Sequence, residues 1–181
     1  MFDATTLRVL PGYLWPPSRI PVHATSISIP SRYVLVFATG TPPFRLSRFS
    51  QSNLSRAKID LGTSLRPLVL ADGAWTGTTT GLAHVTFAGH GGDVGPITLD
   101  GRVVSTAPRT PTAMALGLGS LWVSAATGGA DPALQRADPA TGAPVGDPLP
   151  LPAIGRVVTV GGGAVWVGTA TGSVVRVRPQ P

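Results

Sequence analysis

Apolar residues along this chain alternate with polar or small ones over short runs, and Gly- and Pro-rich stretches separate the runs. The alternation in Val174-Val175-Arg176-Val177-Arg178 predicts a half-buried strand. Four such tracts repeat one another. Gly119-Ser120-Leu121-Trp122-Val123 and Gly163-Ala164-Val165-Trp166-Val167 form the clearest pair, Asp72-Gly73-Ala74-Trp75-Thr76 is a weaker copy, and in Arg32-Tyr33-Val34-Leu35 a valine takes the Trp position. The spacings are 41, 47 and 44 residues. A period in the forties with strand-like content predicts one supersecondary unit reused, most often a four-stranded propeller blade.

The third unit predicts an inner strand over Thr112–Gly119, a second over Ser120–Ala126, a third over Leu134–Asp138, a turn at Pro139–Gly142, and an edge segment over Ala143–Leu151. Proline suits an edge, where a missing amide removes no ladder bond. The last unit predicts strands at Val157–Val160, Ala164–Thr169 and Ser173–Arg178. Its fourth strand is expected from the N-terminus, where Phe2–Val9 resembles the Ala137–Gly142 region. Unit one predicts strands at Ile27–Ile29, Tyr33–Phe37 and Leu54–Ile59, with a turn at Asp60–Gly62 and Thr41–Phe44 as loop or edge. Unit two predicts Leu68–Leu70, Ala74–Thr78, Ala83–Phe87 and Ile97–Leu99, then a hairpin at Asp100-Gly101 leading to Arg102–Val104. The expectation is an all-β single domain over 1–181, with about four four-stranded blades near 20–65, 66–108, 109–154, and 155–181 plus 1–10. The ring is small or partial.

Composition agrees. Glutamate is absent, and Lys58 is the one lysine against thirteen arginines, which removes the usual filler of exposed helix faces. Gly (23) and Pro (19) supply the turns. The net charge of +6 comes from arginines scattered singly, without the basic aromatic stripe of a nucleic-acid surface. The absence of cysteine excludes disulfides, thiolate metal sites and thiol catalysis. No apolar run reaches the roughly 18 residues of a membrane span, and the N-terminus lacks signal-peptide character. A cytoplasmic location is expected for the chain as written, and an extracytoplasmic one if it is the C-terminal part of a longer exported protein.

The Gly-x-x-Trp-Val strand followed by Arg-x-Asp-Pro-x-Thr-Gly (Gly119, Trp122, Val123, Arg136, Asp138, Pro139, Thr141, Gly142) resembles the repeats of bacterial β-propellers of the YVTN/NHL-like and quinoprotein-like kind. The last unit keeps Gly163, Trp166, Val167 and Arg176 but has Arg178 where Asp is expected. The resemblance is clearest over 112–181 and implies a fold shared by receptors, sensor ectodomains and scaffolds, with some lyases and cofactor-dependent dehydrogenases. Most rings in those families have six to eight blades, so this chain is expected as a small ring, a half-ring pairing with another chain, or a truncated piece.

Acid–base chemistry needs paired carboxylates or a histidine with an orienting acid. Four of the eight aspartates (Asp60, Asp72, Asp100, Asp138) stand at expected turns, where the side chain bonds its own backbone. His84, His90 and Asp93 form the one conceivable metal constellation, with His84 on a strand and His90 in a Gly-rich loop. The glycine tracts at 89–92 and 161–163 open no helix, as a phosphate cradle would require. Trp75, Trp122 and Trp166 read as packing between blades. An arginine precedes each inner strand (Arg19, Arg66, Arg109, Arg156), and their convergence at a ring mouth would favour a carboxylate, phosphate or acidic peptide. The sequence argues against an enzyme and calls for no cofactor. It favours a binding or scaffold module for a protein or small anionic partner, with a homodimer expected if the ring is partial. The rivals are a metal-dependent catalytic propeller and a gene fragment without function of its own.

Overall fold

The computed structural model describes residues 24–28, 33–38, 44–50, 56–61, 65, 67–70, 73–88, 95–128 and 130–179. These hold fifteen strands in four antiparallel sheets, each sheet built from consecutive strands in chain order. The first sheet is β1 (Ala24–Ser28), β2 (Tyr33–Ala38), β3 (Phe44–Ser50) and β4 (Arg56–Leu61). The second is β5 (Leu68–Val69), β6 (Gly73–Thr78), β7 (Gly81–Phe87) and β8 (Ile97–Ser105). The third is β9 (Thr110–Gly117), β10 (Ser120–Thr127), β11 (Ala130–Ala137) and β12 (Leu149–Pro150). The fourth has β13 (Gly155–Gly161), β14 (Ala164–Thr169) and β15 (Val174–Val177). The expected N-terminal strand over 1–10 lies outside the described residues. Among the described residues no helix is long and apolar enough to cross a membrane.

Strand alternation splits side chains between two faces, and the second and third sheets use their two faces on different neighbours. Leu46 of the first sheet meets Ala74, Val85 and Ile97 of the second. Trp75, Leu82 and Val104 of the second meet Leu121, Val123 and Ala137 of the third. On its opposite face the third sheet offers Ala113, Trp122 and Leu134 to Val158, Val165 and Val167 of the fourth. Each apolar core therefore lies between two successive sheets. This explains why β10 is buried from Ser120 to Ala126 without alternation, since both of its faces are covered. The third and fourth sheets are also tied by hydrogen bonds, with Thr112 Oγ1 donating to the Gly155 carbonyl at 2.7 Å. A Cβ on Gly155 would fall 2.3 Å from Ser124 Oγ, so the close approach of these sheets depends on that glycine.

Four expectations are corrected. Phe44, expected within a loop or edge over Thr41–Phe44, opens a strand that runs to Ser50, where none is expected, and pairs with Tyr33–Ala38 and with Arg56–Leu61. Its apolar alternation is broken by Arg48, which is nevertheless buried, stacks over Phe87 at 5.3 Å and donates to the Ala88 carbonyl. Asp60 and Leu61 continue β4 instead of opening a turn. Asp100-Gly101 is not a hairpin tip either: β8 runs through it, and the register with β7 slips between Ala83 and Val85. Gly101, at φ 89°, supplies the left-handed step that lets the strand bulge and continue. Of the edge segment Ala143–Leu151, only Leu149–Pro150 pairs as strand, with Pro144 making a lone bridge to Ala137.

Candidate functional site

The bulge in β8 places Asp100 and Arg102 opposite one residue of β7, His84. Asp100 Oδ2 lies 2.7 Å from His84 Nδ1, 2.8 Å from Arg102 Nε and 2.6 Å from Arg102 Nη2. The Arg102 amide donates to Asp100 Oδ1 at 3.1 Å. Asp100 thus keeps the backbone-bonding role expected of it, at a bulge in place of a turn. Arg102 Nη2 also lies 2.6 Å from His84 Nδ1, and that nitrogen can serve one partner at a time: carrying a proton it donates to Asp100, lacking one it accepts from Arg102. The Arg102 guanidinium beside Asp100 holds its carboxyl well below the usual carboxylate range. Partial burial opposes the shift, and the Arg102 amide and His84 reinforce it.

His84 is completely buried. Its ring meets Trp75 edge-on at 5.2 Å, and a Cβ on Gly73 would come within 2.7 Å of Cε1 and 3.1 Å of Nε2. A general base needs a nitrogen within reach of its substrate, and here Nδ1 is committed while Nε2 lies 3.3 Å from Arg102 Nη2 and beside the space a Gly73 Cβ would fill. The arrangement orders a packed ring. The same cross-strand position in the next two sheets shows why. Trp122 pairs with Arg136, whose guanidinium stands 5.6 Å over the indole, and Trp166 pairs with Arg176 at 5.0 Å. Trp75 pairs with His84. Each of these three Trp residues therefore faces a basic side chain across the strand pair, and the His84–Asp100–Arg102 cluster is the second sheet's version of that contact. Trp122 and Trp166 also donate Nε1 to the carbonyls of Gly117 and Gly161, at 3.1 and 3.0 Å. Trp75 Nε1 is buried without a hydrogen-bond partner.

His90 and Asp93, the other members of the expected metal constellation, lie outside the described residues, as do Arg19 and Arg66. Among the described residues no group of three or more His, Cys, Asp or Glu is placed to hold a metal ion. Arg109 stands in the β8–β9 connection, half-buried, where it forms an ion pair with Asp131 and donates Nε to the Asp131 carbonyl at 2.9 Å. Asp131 opens β11. The β8–β9 and β10–β11 connections thus share one rim, and Arg156, exposed near the start of β13, follows the next connection on the same rim. Of the two described arginines, one is neutralised by an aspartate and one is exposed to solvent. Sequence reasoning missed the cluster of His84 with Asp100 and Arg102. The signal that it could have used is the residue facing each Trp across the strand pair.

No protein-family model matches the chain, and no curated protein matches it. Among solved structures, the chain is similar to the computationally designed Ika4 protein, with a TM-score of 0.61, 13% identical residues, and coverage of 84% of this chain and 89% of that one. The designed Ika8 protein overlaps at a TM-score of 0.45 with 15% identity, covering 84% of this chain and 57% of that one. At such identities the Ika4 likeness concerns the course of the backbone alone.

Proposed function

We propose that the four sheets are blades of a β-propeller, in a small or partial ring, and that the chain acts as a non-enzymatic binding or scaffold module. The supporting observation is the serial packing: each sheet covers one face of the sheet before it, with Trp75 and Trp122 in equivalent interfaces. Sheets stacked in this way around an axis gather their connections into rims, where binding residues are carried on a rigid frame. The rim bearing Arg109, Asp131 and Arg156 is the partner-facing surface in this reading, with an anionic group as the partner's contact. Arg156 is its exposed cation.

The test is calorimetric titration with a hexa-aspartate peptide at low salt. Wild-type protein should bind it, and Arg156→Ala should weaken binding by about tenfold, the worth of one charge-assisted contact. Heatless titration of the wild type would remove the anionic partner from the proposal. Stoichiometric metal in the purified protein would favour a metal-dependent catalytic reading in its place.

A further inference from the structure

The third and fourth sheets carry the same face. Ala113, Trp122, Leu134 and Arg136 of the third correspond to Val157, Trp166, Val174 and Arg176 of the fourth, by strand register and by the shared Trp–Arg and Trp–carbonyl contacts. In the third sheet this face is closed by the valines of the fourth, leaving Trp122 2% and Leu134 0% exposed. In the fourth sheet it is open, with Val157 58% and Val174 66% exposed and Trp166 half-buried.

We infer that this face is an interface between chains, and that its occupant is the first sheet of a second copy of this protein. The inference rests on reading the sheets as radially stacked blades. What covers the equivalent face within the chain is the next sheet in the series, so the chemistry of the occupant is that of a sheet face. A second copy brings its first described sheet against the fourth described sheet of this chain. Two such contacts close a ring of eight sheets, within the usual range of propellers, and leave neither terminal face open. Solvated valines at Val157 and Val174 are the apolar surface that this contact removes from water.

Size-exclusion chromatography with light scattering tests this on the full chain. The wild type should have twice the 18.5 kDa chain mass. Val174→Asp and, separately, Val157→Asp should raise the dimer dissociation constant roughly 100-fold or more, because each buries an unpaired charge, while the monomer keeps its cooperative melt. Leu99→Asp, at a 63% exposed position on the second sheet, should leave the dimer intact. A wild-type monomer would overturn the inference. If Val174→Asp then lowers its melting temperature, the face is closed by the chain's own first sheet and the stacked reading survives. Should the melt be unmoved, the face belongs to solvent. Trp122→Ala in the same series reports on the stacked reading alone.

Discussion

Asp100 is tied to its surroundings through four polar contacts, three of them from Arg102, and its negative charge is what allows a buried histidine and an arginine to lie side by side. Asp100→Asn should cost about 1 kcal/mol in urea unfolding at neutral pH, a modest figure because the carboxylate borders solvent. Its folded-state pKa is depressed, so its contribution is complete above about pH 4 and fades as pH falls through the folded value. The gap between wild type and Asp100→Asn should therefore be full at pH 7 and shrink on acidification below about pH 4. Gly73 sets the other limit of the site. An alanine there would place its Cβ 2.0 Å from the Val85 carbonyl oxygen, a backbone atom that cannot yield cheaply. Gly73→Ala should destabilise by about 3 kcal/mol in the same assay, near the top of the range for overpacking.

At the scale of elements, the Trp–Val strands carry most of the fold's legibility. The β10 and β14 boundaries fall at or within a residue of those expected from the sequence, because the repeated Trp-Val pair leaves a mark that turns and glycines then frame. Strands whose inward positions are polar leave none: β3 hides behind buried Arg48, and β8 behind an Asp-Gly pair that forms a bulge where the same dipeptide more often ends a strand. For the same reason His84 was legible as a strand residue but not as a partner of Asp100 and Arg102, whose approach depends on a register slip. The element scale also separates the two repeated indoles. Trp122→Ala removes a side chain enclosed between sheets and should cost about 4 kcal/mol. Trp166→Ala, on the open face, should cost the isolated chain roughly 1 kcal/mol, since much of its ring already meets water. Equal losses in guanidinium unfolding would mean that the two faces are not as different as their exposures indicate.

At the scale of the molecule, the described residues distribute stability along a series of interfaces, each joining a sheet to its neighbour, without one central core. That arrangement suits the Gly- and Pro-rich, nearly lysine-free composition, since among the described residues surface is spent on rims and edges with no helices to coat. It also means that the register between sheets is the fact on which everything else depends. The chain has no cysteine, so a single introduced pair can report it cleanly. A Cβ at Gly117 of β9 would lie 2.7 Å from the Val160 Cβ of β13, close enough for a disulfide after a small outward adjustment. The decisive measurement is the rate of intramolecular disulfide formation in Gly117→Cys/Val160→Cys under mild oxidant, compared in buffer and in denaturant. Serial stacking predicts rapid, near-complete cross-linking in buffer and slow cross-linking in denaturant. Two freely reactive thiols in buffer, cross-linking no faster than in the unfolded chain, would contradict it.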